Sequence, residues 1–240
     1  MITKNEIKYI QSLYHKKTRD AEGLFIAEGE KLVNELLQSN FHIQQLYATA
    51  DWEAQNASIN NINIIETFEL EKISNLATPN KVLAIVQQRK NIALPLAKNT
   101  ITLVLDGIQD PGNMGTIIRI ADWFGIHQII ASNDTVDIYN SKVVQSTMGS
   151  IIRVNCWYTA PDNWLQHCVV PVYGALLNGV NLQSTGKISE AVLVIGNESK
   201  GIRPYLLPHI QQAITIPRVG GAESLNAAVA TGIILSHWVL

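Results

Sequence analysis

The sequence has 240 residues, of which 47% are hydrophobic and 16% are charged, and its formal net charge is −2. These values are typical of a globular protein and exclude a disordered chain, and the length suits two modest domains or one large one. A net charge this close to zero gives no electrostatic indication of a polyanionic partner.

Residues 1–90 have the pattern of a small α/β domain. Apolar residues recur at helical spacing at Ile7, Ile10 and Tyr14 and again within residues 32–37, which predicts two helices. Short, largely apolar runs at residues 43–47 and 82–86 are typical of strands.

A basic cluster lies near the N-terminus of this domain. Its members are Lys4, Lys8, Lys16, Lys17 and Arg19, and only Glu6 opposes them between residues 4 and 19. Such a cluster is compatible with a solvated helix face or with a phosphate contact, and the residues alone favour the solvated face.

Residues 91–100 are interpreted as an interdomain linker, and residues 101–240 as a second domain. Apolar runs without alternation occur there at residues 101–105, 128–131, 169–177, 191–195 and 213–216. Such runs are typical of strands buried on both faces, so the pattern predicts a parallel sheet covered by helices. Helical segments are predicted at residues 114–124, at 141–148 and from 224 to the end of the sequence. The fold class is therefore α/β, with chemistry expected at the carboxyl ends of the strands.

Three polar, glycine-containing loops follow three of these strands. The first, residues 106–119, contains a Pro-Gly turn and then the start of a helix that carries Asn113 and Arg119. Arg119 lies on an otherwise apolar stretch. It must either reach outward or meet a partner, because burying an unpaired arginine costs a large free energy.

The second loop is Gly196-Asn197-Glu198-Ser199-Lys200-Gly201-Ile202, and it superficially suggests a phosphate-binding loop. A P-loop would need Lys and then Ser or Thr after Gly201, where this chain has Ile202-Arg203. The G-x-G-x-x-G fingerprint is also absent, since Gly112 and Gly115 have the wrong spacing. ATP and NAD binding by the familiar routes are therefore disfavoured.

The third loop, residues 216–226, precedes the final predicted helix. Ser224 is a natural N-cap for that helix, which would leave Asn226 in the first turn without an obvious capping role. The helix continues with the small residues Ala227, Ala228, Ala230 and Gly232. These permit close approach by another element of the chain or by a second subunit.

The sequence gives no indication of a metal site, a disulfide or a membrane-spanning segment. Cys156 and Cys168 are too few for a thiolate zinc site, and the six histidines have no metal-binding spacing. No apolar run approaches the ~18 residues needed to span a bilayer, and the N-terminus lacks the apolar core of a signal peptide. We therefore expect a cytoplasmic protein without a metal or a membrane partner.

Taken in order, the three loops resemble the signature motifs of the SpoU/TrmH family of RNA 2′-O-ribose methyltransferases, within the SPOUT superfamily. The matching residues are Asn113, Gly115, Thr116 and Arg119, then Gly196-Asn197-Glu198-Ser199-Lys200-Gly201, then Glu223-Ser224-Leu225-Asn226-Ala227-Ala228-Val229-Ala230. One motif alone would be weak, but three in the right order, each after a predicted strand, are specific. The resemblance covers residues 101–240. It implies a SPOUT domain with a parallel sheet, a trefoil knot, and a homodimer whose interface completes the site.

Residues 1–90 are similar, more loosely, to the RNA substrate-binding domain that often precedes this catalytic domain and has a ribosomal-protein-like fold. The matching stretch includes Gly23-Leu24-Phe25, Ala27-Glu28-Gly29 and Leu32-Val33. This resemblance makes Lys16, Lys17 and Arg19 candidate RNA contacts.

The resemblance implies methyl transfer from S-adenosyl-L-methionine to a ribose 2′-OH in structured RNA, with ribosomal RNA favoured over transfer RNA. The catalytic residues carried over by motif position are Arg119, Asn113, Glu198, Ser224 and Asn226. The cofactor is expected on backbone groups, for which the candidates by position are Ala175, Leu176, Gly196, Ile216, Leu225 and Ala227.

The family assigns the activation of the 2′-OH to the arginine at the position of Arg119. A guanidinium is a poor proton acceptor near neutrality, so our hypothesis is that Arg119 grips the adjacent phosphate and stabilises the developing alkoxide. Glu198 is expected to pair with Arg119 across a subunit boundary.

The sequence leaves two other functional hypotheses open. One is a non-catalytic RNA-binding protein of the same fold that acts in ribosome assembly, and the presence of Arg119, Glu198 and Asn226 argues against it. The other is a small-molecule α/β enzyme, which the missing nucleotide motifs and the N-terminal domain disfavour. A test of S-adenosyl-L-methionine binding would distinguish the methyltransferase from these two alternatives.

Overall fold

The computed structural model describes residues 1–90 and 93–240, and the chain forms two compact units. The first comprises Met1–Lys90 with Asp137–Ile152, and the second comprises Asn91–Val136 with Arg153–Leu240. The linker predicted at residues 91–100 begins with Asn91 and Ile92, which lie outside the described residues. Residues 137–152 pack within the first unit although their position in the sequence is in the predicted second domain.

The elements up to residue 90 begin with two helices and then alternate between strand and helix. In chain order they are α1 (Lys4–Ser12), α2 (Lys16–Glu22), β1 (Leu24–Glu28), α3 (Glu30–Leu37), β2 (Ile43–Ala48), α4 (Ala50–Gln55), β3 (Ile62–Ile64), α5 (Thr67–Ile73) and β4 (Val82–Gln87). The helix predicted at residues 32–37 and the strands at 43–47 and 82–86 are confirmed. The first predicted helix is also confirmed, but it ends before Tyr14.

The four strands of the first unit form one sheet in the order β1-β4-β2-β3. β4 is antiparallel to β1 and β2, and β3 is parallel to β2. One apolar cluster beside the sheet contains Ile10, Leu13, Leu24, Tyr47, Leu70 and Leu83. β1 and β3 were not predicted as strands. β1 is buried along its whole length as the apolar run Leu24–Ala27, and periodicity alone does not distinguish so short a run from a helix segment.

The remaining elements build the second unit, apart from α7 and the 3₁₀ helix at Ser150–Ile152, which belong to the first. In chain order they are β5 (Ile101–Asp106), α6 (Pro111–Trp123), β6 (Gln128–Ser132), α7 (Ser141–Ser146), β7 (Asn155–Thr159), α8 (Pro161–Leu165), β8 (Val172–Asn181), β9 (Ala191–Gly196), β10 (Gln212–Thr215) and α9 (Ala227–Val239). Three short 3₁₀ helices lie at Ser150–Ile152, Leu182–Ser184 and Pro204–His209.

The six strands of the second unit form a single sheet in the order β10-β8-β9-β5-β6-β7, and every neighbouring pair is parallel. The predicted parallel sheet is therefore confirmed. Asp106 at the end of β5 is in register with Gly196 at the end of β9, so the loops after these two central strands leave the sheet side by side. The strand expected at residues 169–177 begins later, at Val172. β7 was missed because its residues Asn155–Thr159 mix polar and apolar side chains at the sheet edge.

β8 changes its register against β10 in mid-strand. Gly174 pairs with Ala213, but the next residue of β10, Ile214, pairs with Val180. In the described ladders residues 175–179 have no paired residue, which marks an irregularity in the middle of β8.

The final helix begins later than predicted. Its N-cap is Asn226, whose Oδ1 accepts hydrogen bonds from the backbone N–H groups of Ala228 and Val229 at 2.9 and 3.2 Å. The prediction that Ser224 caps this helix is wrong. The prediction that Asn226 lies in the first turn without a capping role is wrong for the same reason.

No helix within residues 1–90 and 93–240 is both long and apolar enough to cross a membrane. The same residues hold no group of three or more His, Cys, Asp or Glu side chains placed to bind a metal ion.

Candidate active site

The carboxamide of Asn113 is the point where the three motif loops meet. Its Nδ2 donates to Glu198 Oε1 at 2.6 Å, and its Oδ1 accepts from Asn226 Nδ2 at 2.8 Å. Asn113 belongs to the first turn of α6, which begins at the N-cap Asp110. The Asp110 carboxylate accepts from the Asn113 backbone N–H at 2.7 Å. The backbone and side chain of Asn113 are therefore both held in place.

The loop that carries Glu198 is closed on itself. The backbones of Asn197 and Gly201 exchange hydrogen bonds of 3.0 and 2.9 Å, and Asn197 Oδ1 accepts from the N–H groups of Ser199 and Lys200. A Cβ on Gly196 would overlap the backbone of Gly201, so only glycine allows this turn. The backbone position of Glu198 is therefore fixed by the hydrogen bonds within this loop.

A cavity of about 850 Å³ lies beside these loops, between residues 175–178 of β8, the loop at 196–202 and residues 214–227. Glu198 and Ser224 line it, as do all six residues predicted to hold the cofactor: Ala175, Leu176, Gly196, Ile216, Leu225 and Ala227. Its volume is in the range of small-molecule and cofactor sites. Asn113, Asn226 and Arg119 are not among the lining residues.

The lining of this cavity fits the adenosyl part of the implied cofactor. Residues 175–178, which have no paired residue in the described ladders, bring their backbone to the cavity, and Thr215 Oγ1 donates to the Leu177 carbonyl at 3.1 Å. Leu176, Ile195 and Ile216 supply apolar surface around them. Backbone groups set among apolar side chains can fix the orientation of a heterocycle without a dedicated polar side chain.

Arg119 and Ser224 are both exposed in the described part of the chain. Arg119 lies on the exposed face of α6, and Ser224 on the exposed loop before α9. Within residues 1–90 and 93–240 neither side chain makes a hydrogen bond or an ion pair. The outward position is one of the two that the sequence allowed for Arg119. Glu198 was expected to pair with Arg119 across a subunit boundary, and within this chain it accepts from Asn113.

The three predicted RNA contacts of the first unit differ in exposure. Lys16 and Lys17 are exposed, and Lys16 forms an ion pair of 2.8 Å with Asp20. Arg19 is buried. Its guanidinium donates to Asp137 at 2.7 and 3.2 Å and to the carbonyls of Leu13 and Tyr14. The prediction that Arg19 contacts RNA is wrong, because its donors are occupied inside the protein.

Sequence reasoning missed a group of charged residues behind the Glu198 loop. Asp106 is fully buried at the end of β5, and Arg203 reaches both Asp106 and Asp134. Asn197 Nδ2 donates to the Gly107 carbonyl at 2.7 Å. The available signal was the position of Asp106 and Asp134 just after two parallel strands, where side chains share one sheet edge.

The fold and the site define a class of protein. A wholly parallel six-stranded sheet presents a cavity and three converging loops at the carboxyl edge of its strands, which is where α/β proteins bind their ligands. Residues 100–236 match the model of the SpoU rRNA methylase family, and residues 4–84 match that of the MRM3-like substrate binding domain. The chain belongs to the SpoU rRNA methylase family.

Curated relatives and solved structures agree with this assignment. The chain is 31% identical to the 23S rRNA (guanosine(2553)-2′-O)-methyltransferase RlmP of Bacillus subtilis, over 97% of this chain and 95% of the relative. It superimposes on a TrmH-family protein from Porphyromonas gingivalis with a TM-score of 0.90 and 35% identity, covering 99% and 98% of the two chains. The AdoMet-bound rRNA methyltransferase from Sinorhizobium meliloti gives a TM-score of 0.86 and 31% identity, covering 99% and 95%.

Proposed function

We propose that this protein transfers a methyl group from S-adenosyl-L-methionine to a ribose 2′-OH of ribosomal RNA. The observation that carries the proposal is the junction of Glu198, Asn113 and Asn226, which lies next to a cavity of cofactor size. The relatives' names support ribosomal RNA as the substrate, since RlmP of Bacillus subtilis and RlmB of Neisseria meningitidis are both named as 23S rRNA 2′-O-methyltransferases. Such a substrate places the protein in the cytoplasm.

The cofactor would lie in the cavity described above. Its adenine and ribose would be held by backbone groups of Ala175, Leu176, Gly196, Ile216, Leu225 and Ala227. When bound, S-adenosyl-L-methionine supplies the methyl group. The closed loop around Glu198 borders this cavity on one side, and the exposed loop at residues 217–225 borders it on the other.

The remaining chemistry falls to side chains of this chain. Glu198 and Asn226 hold Asn113 from two sides, and this group, with Ser224, orients the ribose. Arg119 is free to grip an RNA phosphate with two parallel hydrogen bonds, and its charge stabilises the developing alkoxide. The proton leaves to the phosphate or to solvent, since a guanidinium accepts protons poorly.

A second copy of the chain completes this site in our proposal. The side chain of Ile120 on α6 approaches Gly232 on α9, and beside this contact Trp123, Val229 and Ile233 are exposed, Trp123 by 82%. Exposed apolar side chains clustered on two packed helices favour a subunit interface. We expect Trp123→Glu to shift the protein from dimer to monomer in sedimentation velocity, and an unchanged sedimentation coefficient would contradict the dimer.

We also propose a trefoil knot in the second unit and an RNA-binding role for the domain at residues 1–90. The knot is proposed from the family resemblance, and in the second unit α9 packs against the connection between β8 and β9. There the Trp238 carbonyl accepts from the Ile188 N–H at 3.1 Å, and Trp238 Nε1 donates to Thr185 at 3.2 Å.

In the domain at residues 1–90, Lys16 and Lys17 remain candidates for RNA contact because both are exposed.

Calorimetry with S-adenosyl-L-methionine and transfer of a tritiated methyl group to unmethylated 23S rRNA test the activity. We expect binding in the micromolar range or tighter and label that survives in a 2′-O-methylated nucleotide after digestion. Arg119→Lys keeps the charge but cannot bind a phosphate bidentately, so it should bind the cofactor normally and turn over about 100-fold more slowly. Absence of cofactor binding would favour a non-catalytic RNA-binding protein, and normal turnover of Arg119→Lys would exclude a bidentate contact.

A further inference from the structure

A buried ion pair lies directly behind the loop that carries Glu198. Asp106 is fully buried at the end of the central strand β5. A buried carboxylate is costly unless its oxygens are paired, and here Arg203 pairs both. The Arg203 backbone N–H donates to Oδ2 at 2.7 Å, and its Nε donates to Oδ1 at 2.5 Å.

The guanidinium of Arg203 also joins β5 to the neighbouring strand β6. Its two terminal nitrogens each lie 3.2 Å from an oxygen of Asp134, which follows β6. Ser132 Oγ donates to Asp134 at 2.7 Å and accepts from the Gly107 N–H at 2.8 Å. One arginine thus ties the ends of two parallel strands together.

The loop between Gly196 and Arg203 is anchored at both of its ends. At its start, Asn197 Nδ2 donates to the Gly107 carbonyl at 2.7 Å. At its end, Arg203 binds Asp106 through backbone and side chain. Both anchors are on adjacent residues of the chain, Asp106 and Gly107. Glu198 lies between the two anchors and accepts from Asn113 at 2.6 Å.

We propose that Asp106 and Arg203 are positioning residues, which hold the loop at residues 196–203 so that the Glu198 carboxylate meets Asn113. Neither residue lines the cavity, so neither acts on the cofactor directly. Their effect on turnover rests on the proposed function and passes through Glu198. Displacing an orienting group by about 1 Å can cost about 100-fold in rate, so the pair has a measurable consequence.

The first test is a double-mutant cycle on turnover with Asp106→Asn, Glu198→Gln and the double variant. Asp106→Asn removes the charge but keeps the size of the side chain and an acceptor for the Arg203 N–H. We expect this substitution to lower kcat by ~10- to 100-fold in the wild-type background and by less than about 3-fold beside Glu198→Gln. Equal losses in both backgrounds, or wild-type turnover of Asp106→Asn, would overturn the proposal.

The second test is hydrogen exchange of the backbone amides, which does not depend on activity. In Asp106→Asn we expect faster exchange of residues 196–203 with unchanged exchange in β5 and β9. Arg203→Lys is a second variant in case Asp106→Asn folds poorly, since it keeps the charge but cannot bridge Asp106 and Asp134 together. If neither variant changes the exchange of residues 196–203, the two residues do not hold the loop.

Arg153→Gln is the matched control. Arg153 forms a more exposed ion pair with Asp122, with Nε 2.9 Å from both oxygens, and this pair joins α6 to the residue that precedes β7 by two positions. We expect it to leave the exchange of residues 196–203 unchanged. Loss of protection there in Arg153→Gln would mean that any broken ion pair of this unit loosens the loop, and would overturn the specific role. If wild-type protein lacks methyl transfer but Asp106→Asn still loosens the loop, the proposed function fails and the anchoring stands.

Discussion

Asn113 donates a hydrogen bond of 2.6 Å to Glu198, although 85 residues separate the two in the chain. The same carboxamide accepts from Asn226, which is 113 residues away. An amide offers a donor on one side and an acceptor on the other, and Asn113 uses one of each. The residue type at this position follows from that requirement, because neither a carboxylate nor an alkyl side chain can satisfy both neighbours.

Asn113→Asp should abolish most of the activity without unfolding the protein. It places a carboxylate where the Glu198 carboxylate now receives a hydrogen bond, and two like charges at that distance repel. We expect kcat to fall by about 100-fold with cofactor affinity changed little, measured by single-turnover methyl transfer and calorimetry. Asn163→Asp, on an exposed position of the same unit, is the control and should keep wild-type turnover.

Two substitutions at Asn226 separate its capping role from its role in the site. Asn226→Ala removes the cap of α9 and the contact with Asn113, so it should lose about 1 kcal/mol of unfolding free energy as well as turnover. Asn226→Asp keeps an oxygen that can cap the helix but loses the donor to Asn113. It should therefore unfold like the wild type in urea while turning over slowly. Full activity in Asn226→Asp would show that the contact with Asn113 has no part in catalysis.

Much of this site was accessible from the sequence because of one rule of parallel sheets. Strands buried on both faces appear as continuous apolar runs, and their carboxyl ends share one edge, so the three loops were expected on the same side of the sheet. The match of Asn113, Glu198 and Asn226 to known motifs then predicted which side chains meet. The cavity residues from Ala175 to Ala227 were placed by the same resemblance, and all of them line the cavity.

Other features depended on tertiary packing that local patterns do not encode. Ser224 and Asn226 are both good capping residues, and only the path of the chain decides which one begins the helix. Arg19 belongs to an exposed-looking basic cluster, but the carboxylate that pairs with its buried side chain is more than a hundred positions away in the sequence. The interruption of β8 at residues 175–179 lies within an otherwise ordinary strand pattern.

The stability of the first unit should fall at alkaline pH because of Tyr14. Burial, and then the negative charge of Glu28, raise the pKa of Tyr14 above its ordinary value of 10.0. The Tyr14 hydroxyl donates to Glu28 at 2.9 Å and lies 2.8 Å from the Ile73 carbonyl. The folded state therefore favours the protonated phenol. Its contribution is complete below about pH 10 and is lost as the pH rises further, by about 1.4 kcal/mol for each pH unit.

Tyr14→Phe tests this dependence in urea unfolding between pH 8 and 11.5. At pH 8 we expect the variant to be about 1–2 kcal/mol less stable, because the part-buried hydrogen bond of the Tyr14 hydroxyl is lost. The difference from wild type should shrink above pH 10, since phenylalanine does not titrate. A difference that stays constant up to pH 11.5 would show that Tyr14 titrates equally in the folded and unfolded states.

The buried pair of Arg19 and Asp137 should contribute to stability far more than a surface pair. Asp137→Ala leaves a guanidinium buried without its carboxylate, and breaking a pair of this kind costs about 3–5 kcal/mol. Lys16→Ala breaks the exposed pair with Asp20 and should cost less than ~1 kcal/mol. Both are measured by urea unfolding. A loss below about 1 kcal/mol for Asp137→Ala would mean that water or another group replaces the carboxylate.

Because residues 137–152 belong to the first unit, a single cut in the chain does not separate the two units. The backbone passes between the units three times, near residues 90, 136 and 152, rather than once. A fragment cut at residue 90 would retain Arg19 but not Asp137, and would lack α7. Chimaeras that exchange the first unit between relatives should therefore exchange residues 137–152 together with residues 1–90. A single crossover in the linker would combine residues 1–90 of one relative with residues 137–152 of the other.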